Sequence, residues 1–164
     1  MRTLWYVIYN LLGVPLIYLF FNVFGIFNSK VKDGLKGRRD LFSELSKSLQ
    51  LLNKKNKKNI VIHSSSLGEY QQALPLVEEL IKKNYNVILT FFSPSGYNNS
   101  KINLPEVIKT YLPFDTISNT KKFLDLVNPE TIIFMRYDLW YDFIYHAKKR
   151  GIKTVLANTR YDEK

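Results

Sequence analysis

The sequence predicts an α/β fold, a Rossmann-like parallel sheet with helices on both faces, preceded by one long apolar helix. Three observations predict it. From Asn59 onward, short apolar runs alternate with helical patterns, the signature of right-handed βαβ crossovers. The unusual stretches between them, HSSSLGE, FFSPSG, YLPFD, MRYDLW and LANTRYDEK, all fall at the carboxyl ends of strands, where such sheets bind ligands. Finally, Thr3 to Ser29 runs without a single charge.

The N-terminal element is of membrane length. As a helix rising about 1.5 Å per residue it reaches roughly 40 Å, against a hydrocarbon core of roughly 30 Å. It stays bulky and aromatic through Phe27, unlike the short apolar core and small-residue cleavage site of a signal peptide. Residues 1–29 are therefore expected to be a retained anchor, kinked by Gly13 and Pro15. Lys30, Lys32, Lys36, Arg38 and Arg39 follow closely, which favours a cytoplasmic C-terminal side. The alternatives are a helix lying in the membrane interface or one packed as a buried hairpin.

Residues 30–58 read as an amphipathic helix and a basic linker. Leu41, Phe42, Leu45, Leu49 and Leu52 stand at helical spacing within 34–52, and NKKNKKN at 53–59 is a solvated run. Residues 59–164 then supply a strand at 60–63, a helix to about 83, and a strand at 86–91. A short helix near 97–101, a strand at 107–112 and a helix at 118–127 follow. The series closes with a strand at 131–135, a helix at 138–149 and a strand at 152–157.

At 164 residues, 46% hydrophobic, the chain suffices for one ordinary core and is too apolar for a disordered tail. A net charge of +10 points to acidic partners, namely anionic lipid, phosphorylated substrate or nucleic acid. The apolar segment argues for the first two, and no recognised nucleic-acid motif supports the third. Cysteine is absent, so neither a disulfide framework nor a thiolate metal site exists. The two histidines, His63 at a strand end and His146 on a helix, support neither a metal site nor a Ser-His-Asp triad.

The most informative stretch is IVIHSSSLGEYQQALPL at 60–76. SLGE fits a capping box, with Ser66 as N-cap and Glu69 reaching back. Pro75 would then sit inside the helix, at a cost of about 3 kcal/mol unless the helix kinks. A helix starting nearer Gln71 avoids that cost and leaves a loop. In the loop, Gly68 permits a positive φ, Ser64, Ser65 and Ser66 line an anion-receptive concavity, and Glu69 faces the cleft. Elsewhere, SPSG from Ser93 to Gly96 is an ordinary turn, and Asp138 opens a helix whose core stripe is Trp140, Phe143, Ile144 and Ala147.

Taken in order, these stretches resemble the N-terminal domain of the 3-deoxy-D-manno-octulosonic acid (Kdo) transferases of lipopolysaccharide biosynthesis. GLKGRRDLF resembles the family's basic segment after the anchor, and HSSSLGEYQQALPLV carries its His-x-x-Ser-x-Gly-Glu signature. TFFSPSGY, YLPFD, VNPETIIFMRYDLW and GIKTVLANTR follow in the expected sequence. The resemblance implies the acceptor-side half of a two-domain GT-B glycosyltransferase at the cytoplasmic face of a bacterial inner membrane. Such an enzyme needs no metal or other cofactor and moves Kdo from the donor CMP-Kdo to a lipid A precursor.

By the same resemblance Glu69 is the general base. Ser64, Ser65, Ser66, Gly68, Ser95, Gly96 and Asp138 are expected to bind substrate, and a second, donor-binding domain is missing from the chain. RYDLWYD departs from the family's Glu-Thr-Glu-Leu-Trp-Pro-Asn, with Arg136 replacing the first acid and Asp138 keeping the second. NTRYDEK also departs from the usual serine-rich ending.

Overall fold

Alternating apolar runs of five to seven residues build five parallel strands in the order β3-β2-β1-β4-β5. The strands are β1 (Asn59–Ser64), β2 (Asn86–Phe91), β3 (Val107–Tyr111), β4 (Pro129–Met135) and β5 (Lys153–Ala157). The structure is a computed structural model, and it describes residues 2–52 and 57–159. The lysine- and asparagine-rich run falls mostly outside them, as do the last five residues.

Because side chains alternate across a strand, the sheet feeds two cores. Val61, Ile88, Ile132 and Phe134 join one face with α4 (Leu41–Leu52), α7 (Ile117–Val127) and α8 (Tyr141–Lys149). Ile60, Ile62, Val87, Leu89, Ile133 and Met135 join the other, covered by α5 (Leu67–Lys82) and flanked by α6 (Pro94–Asn99). Phe143 and Ala147 are fully buried, with Trp140 and Ile144 packed beside them, as the expected stripe requires. The strand order reverses between β1 and β4, so the crevice at their carboxyl ends is the topological switch point.

Several expected boundaries move. The helix expected over 34–52 is two, α3 (Ser29–Lys36) and α4, broken by Gly37 to Asp40. A Cβ on Gly37 would lie 2.3 Å from the Tyr111 ring, so only glycine permits that approach. The break lets Arg38 turn inward, where it donates to the carbonyls of Gly34, Phe92 and Leu112. Its guanidinium stacks 4.8, 4.7 and 5.1 Å from the ring centres of Phe92, Tyr111 and Phe114. Burial lowers the Arg38 pKa to about 10, which leaves it charged at neutral pH.

The short helix forms earlier than expected, at Pro94–Asn99, because Ser93 caps it by accepting from the Gly96 N–H at 3.2 Å. SPSG is therefore a helix start and not an ordinary turn. Asp138 does not open a helix; α8 begins at Tyr141, after Trp140, and Asp138 lies in the preceding loop.

The apolar N-terminal segment is helical throughout, as α1 (Arg2–Ile8), a π-helical turn (Tyr9–Gly13) and α2 (Val14–Phe27). Leu4–Phe27 is long and apolar enough to cross a membrane. The irregularity sits just ahead of Pro15, where the Val14 N–H reaches back five residues to the Tyr9 carbonyl. One edge of this helix packs on the domain. Tyr9 donates to Asp115 Oδ2 at 2.7 Å and Asn10 to Asp142 Oδ1 at 3.1 Å.

Asp115 is buried and also accepts from Thr120 Oγ1 and the N–H groups of Asp142 and Phe143. Asp142 is buried with Oδ2 lacking a partner among the described residues. Burial raises the Asp115 pKa and brings Asp142 from 3.8 up to about 6.

Two consequences are measurable by denaturant unfolding. Arg38→Ala strips three partly buried carbonyls of their donor and is expected to cost roughly 2 to 4 kcal/mol. For Asp142 the folded state binds its proton more tightly than the unfolded chain. Its contribution to stability is therefore fully present below the unfolded pKa and is lost as pH rises through about 6. Asp142→Asn is expected to flatten the stability profile across that window, by on the order of 1 to 2 kcal/mol. An unchanged slope rejects the assignment.

Candidate functional site

The opening turn of α5 follows directly from the last residue of β1. Ser66 has extended backbone angles and accepts from the Glu69 N–H at 3.4 Å, so it is the N-cap, and the helix starts at Leu67. The looser alternative, a loop running to Gln71, is not what forms. Pro75 is accommodated inside the helix. Gly68 accordingly has no positive φ and lies on the first turn, where a Cβ would meet nothing within 4 Å. Packing makes no demand for glycine there, and its absent side chain leaves the backbone of that turn bare.

Glu69 does not close the expected box on Ser66. Its carboxylate reaches one residue further back, accepting from the Ser65 N–H at 2.6 Å and from Ser65 Oγ at 3.0 Å. The group is half-buried, in the first helical turn, where the dipole favours negative charge. Two donors occupy at most three of roughly four lone-pair positions on a carboxylate. Among the described residues, one position on Oε1 is left open to an incoming hydroxyl.

The neighbouring serine turn is bound to this one by backbone. The Ser93 N–H donates to the Ser65 carbonyl at 3.1 Å, and Ser93 Oγ shares a hydrogen bond with Ser95 Oγ. Gly96 is buried. A Cβ on it would lie 2.8 Å from Phe91 Cδ1 and 3.2 Å from the Ser66 carbonyl carbon, so glycine lets α6 seat against the start of α5. Ser65, Ser66, Glu69 and Ser95 thus share one rim. Ser64 lies below it with its side chain fully buried, and Ser64 Oγ finds no partner among the described residues.

Across the switch point the rim is held by His63. Fully buried on β1, it meets Thr90 Oγ1 of β2 through Nδ1 at 3.0 Å and Asp138 Oδ2 of the loop after β4 through Nε2 at 2.8 Å. An Nε2–H tautomer, donating to Asp138 and accepting from Thr90, satisfies both contacts. His63 is thus a positioned structural histidine. It draws the Asp138 loop beside the serine turn, and Asp138 enters the site through this strap.

Arg136 begins that same loop. Its φ of 61° is left-handed, as is the 57° of Asn158 after β5. Both side chains converge on Gln72 Oε1, Arg136 Nε at 3.2 Å and Asn158 Nδ2 at 2.6 Å. Non-glycine residues rarely adopt such angles, and they cluster where surroundings impose them. Thr90, Gln72 and Asn158 lie in stretches the sequence singles out, but none was named individually as part of the site. Gln72 sits one turn after Glu69, and strand register brings the other two to the same edge. Among the described residues, no cluster of three or more His, Cys, Asp or Glu is placed to hold a metal ion.

Comparison with known proteins covers the same segment. The family profile described as 3-Deoxy-D-manno-octulosonic-acid transferase (kdotransferase) matches residues 39–164. The 3-deoxy-D-manno-octulosonic acid transferase of Haemophilus influenzae is 35% identical over 104 residues, 62% of this chain and 24% of that protein. The Aquifex aeolicus protein of the same name is 29% identical over 99 residues, 59% and 27% of the two chains. That of Bordetella pertussis is 26% identical over 106 residues, 61% and 25%. The chain spans about a quarter of the length of these curated relatives. With a parallel sheet, a serine-lined switch point and a match across more than half its length, the chain belongs to the 3-deoxy-D-manno-octulosonic-acid transferase family.

Proposed function

We propose that this chain is the N-terminal, acceptor-binding part of a membrane-bound glycosyltransferase that moves Kdo from CMP-Kdo to a lipid A precursor. The observation that carries the reading is Glu69, a carboxylate held at the switch point by Ser65 with one oxygen lone pair open among the described residues. In this mechanism Glu69 takes the proton of an acceptor hydroxyl as that oxygen attacks the anomeric carbon of Kdo from the face opposite the nucleotide. The new C–O bond forms, the bond to the CMP phosphate oxygen breaks, and the configuration inverts. CMP leaves with the electron pair, and the proton ends on Glu69.

Ser65, Ser66, Ser95 and the N–H groups around Gly68 and Gly96 line the rim that a sugar carboxylate or phosphate would approach, with Ser64 buried beneath them. Asp138, oriented by His63, is suited to accept from a sugar hydroxyl. The +10 charge favours a phosphorylated acceptor. Most of the donor site belongs to a second domain, so the 164 residues alone are expected to give no transfer from CMP-Kdo.

A second reading is favoured by the same contacts. Ser66 caps α5 and Glu69 ties back to Ser65, which is also what a purely structural carboxylate would do in a non-catalytic, membrane-anchored module that binds an acidic glycolipid. Glu69→Gln separates the two when the chain is assayed together with a donor-binding domain. As the base, its loss is expected to lower kcat by roughly 10²- to 10⁴-fold with acceptor affinity retained. As a cap alone, the change costs about 1 kcal/mol of stability and leaves transfer intact.

A further inference from the structure

We infer that the N-terminal helix lies in the plane of one anionic leaflet instead of crossing the bilayer, and that a basic cavity beside it takes lipid phosphate headgroups. The proposal rests on the membrane association proposed above and adds its geometry. The helix touches the domain along nearly its whole length. Tyr6 meets Tyr141 and Tyr145, Tyr9 and Asn10 bind Asp115 and Asp142, Tyr18 meets Phe114, and Phe21 packs on Phe92 and Phe114. Gly25 is buried, and a Cβ there would lie 2.8 Å from Leu35 Cδ1.

From Tyr6 to Gly25 this seam covers 19 steps of about 1.5 Å, roughly the thickness of a hydrocarbon core. A spanning helix would have to abandon the seam or carry Asp115 and Asp142 into hydrocarbon, where ionisable groups are strongly disfavoured. Lying flat requires neither. The side turned away from the domain presents Leu4, Trp5, Leu12, Leu16, Leu19 and Phe20, with Phe27 81% exposed at its end. A continuous apolar face of this kind on an otherwise charged protein marks an interaction surface.

Charge identifies the occupant. A cavity of about 610 Å³ opens between this helix, α3 and the loop after β3. Lys32, Lys36 and Arg39 line it, all exposed, beside Arg38, whose donors are taken by carbonyls, and no acidic residue does. Tyr18 and Ile26 belong both to its wall and to the exposed side of the helix. A bilayer surface meeting the apolar side therefore brings its phosphates to three cations, which matches an anionic leaflet.

The absence of cysteine allows a direct test on the whole chain. Leu4→Cys, Leu12→Cys, Leu19→Cys and Phe27→Cys are each labelled with a nitroxide, bound to vesicles of phosphatidylglycerol and phosphatidylcholine in equal parts, and read for depth by collision with oxygen and a nickel chelate. All four are expected at one shallow depth, within about 10 Å of the headgroups. A profile deepest near Leu12 and Leu19, with Leu4 emerging on the opposite face, overturns the in-plane geometry while leaving membrane association standing. No binding to any vesicle overturns both.

For the cavity, the triple variant Lys32→Glu, Lys36→Glu and Arg39→Glu is expected to weaken binding to the phosphatidylglycerol vesicles roughly a hundredfold or more. Its binding to pure phosphatidylcholine should be unchanged, as should its circular dichroism. Undiminished affinity for the anionic vesicles overturns the headgroup site. If the triple variant misfolds, Lys36→Gln alone, expected to weaken that binding about fivefold, decides the matter.

Discussion

Everything at the carboxyl edge of the sheet depends on one fully buried imidazole. His63 occupies the central strand, and its two nitrogens bind groups on either side, Thr90 on β2 and Asp138 after β4. A ring with no exposed surface cannot exchange either partner for water, so both contacts are required of the fold. The strap spans the point at which strand order reverses, where a doubly wound sheet opens a crevice. It therefore sets how closely the Asp138 loop approaches the serine turn.

Two buried ionisable groups play the same part at the outer edge. Asp115 gathers donors from α7, α8 and the π-helical turn of the N-terminal segment, while Arg38 gathers carbonyls from α3 and from the ends of β2 and β3. Neither forms its principal contacts with an opposite charge. Each is neutralised by dipoles aimed at it, which suits positions too crowded for a second ion. Together they bind the apolar helix to the strand ends, so the exposed apolar side of that helix and the serine rim belong to one continuous edge. Phe92 shows the coupling directly: it receives Phe21 from the helix, stacks with Arg38, and immediately precedes Ser93 of the site rim.

The sequence–structure differences have physical causes. The helix expected over 34–52 breaks because Gly37 must admit the Tyr111 ring, a contact between residues far apart in the chain. Asp138 left its expected helix for His63, since a buried imidazole nitrogen outweighs the modest gain at a helix dipole. The opening turn kept its capping signature, yet Glu69 chose Ser65 over Ser66. That one-residue shift depends on how α5 leaves β1, and local pattern does not encode it.

Periodicity by itself determined the alternation of strands and helices, the parallel sheet, the apolar stripes of α4 and α8, and the long N-terminal helix. These follow from side-chain spacing along a single element, which a sequence displays in full. The motif stretches also placed Glu69, the serines and Asp138 at one edge, because parallel topology sends every strand end to the same side. Only tertiary structure decided which of them touch. The His63 strap, the convergence of Arg136 and Asn158 on Gln72, the inward turn of Arg38 and the docking of the N-terminal helix through Asp115 all join residues distant in the chain. Their partners are selected by strand register and close packing, quantities that exist only once the sheet has formed.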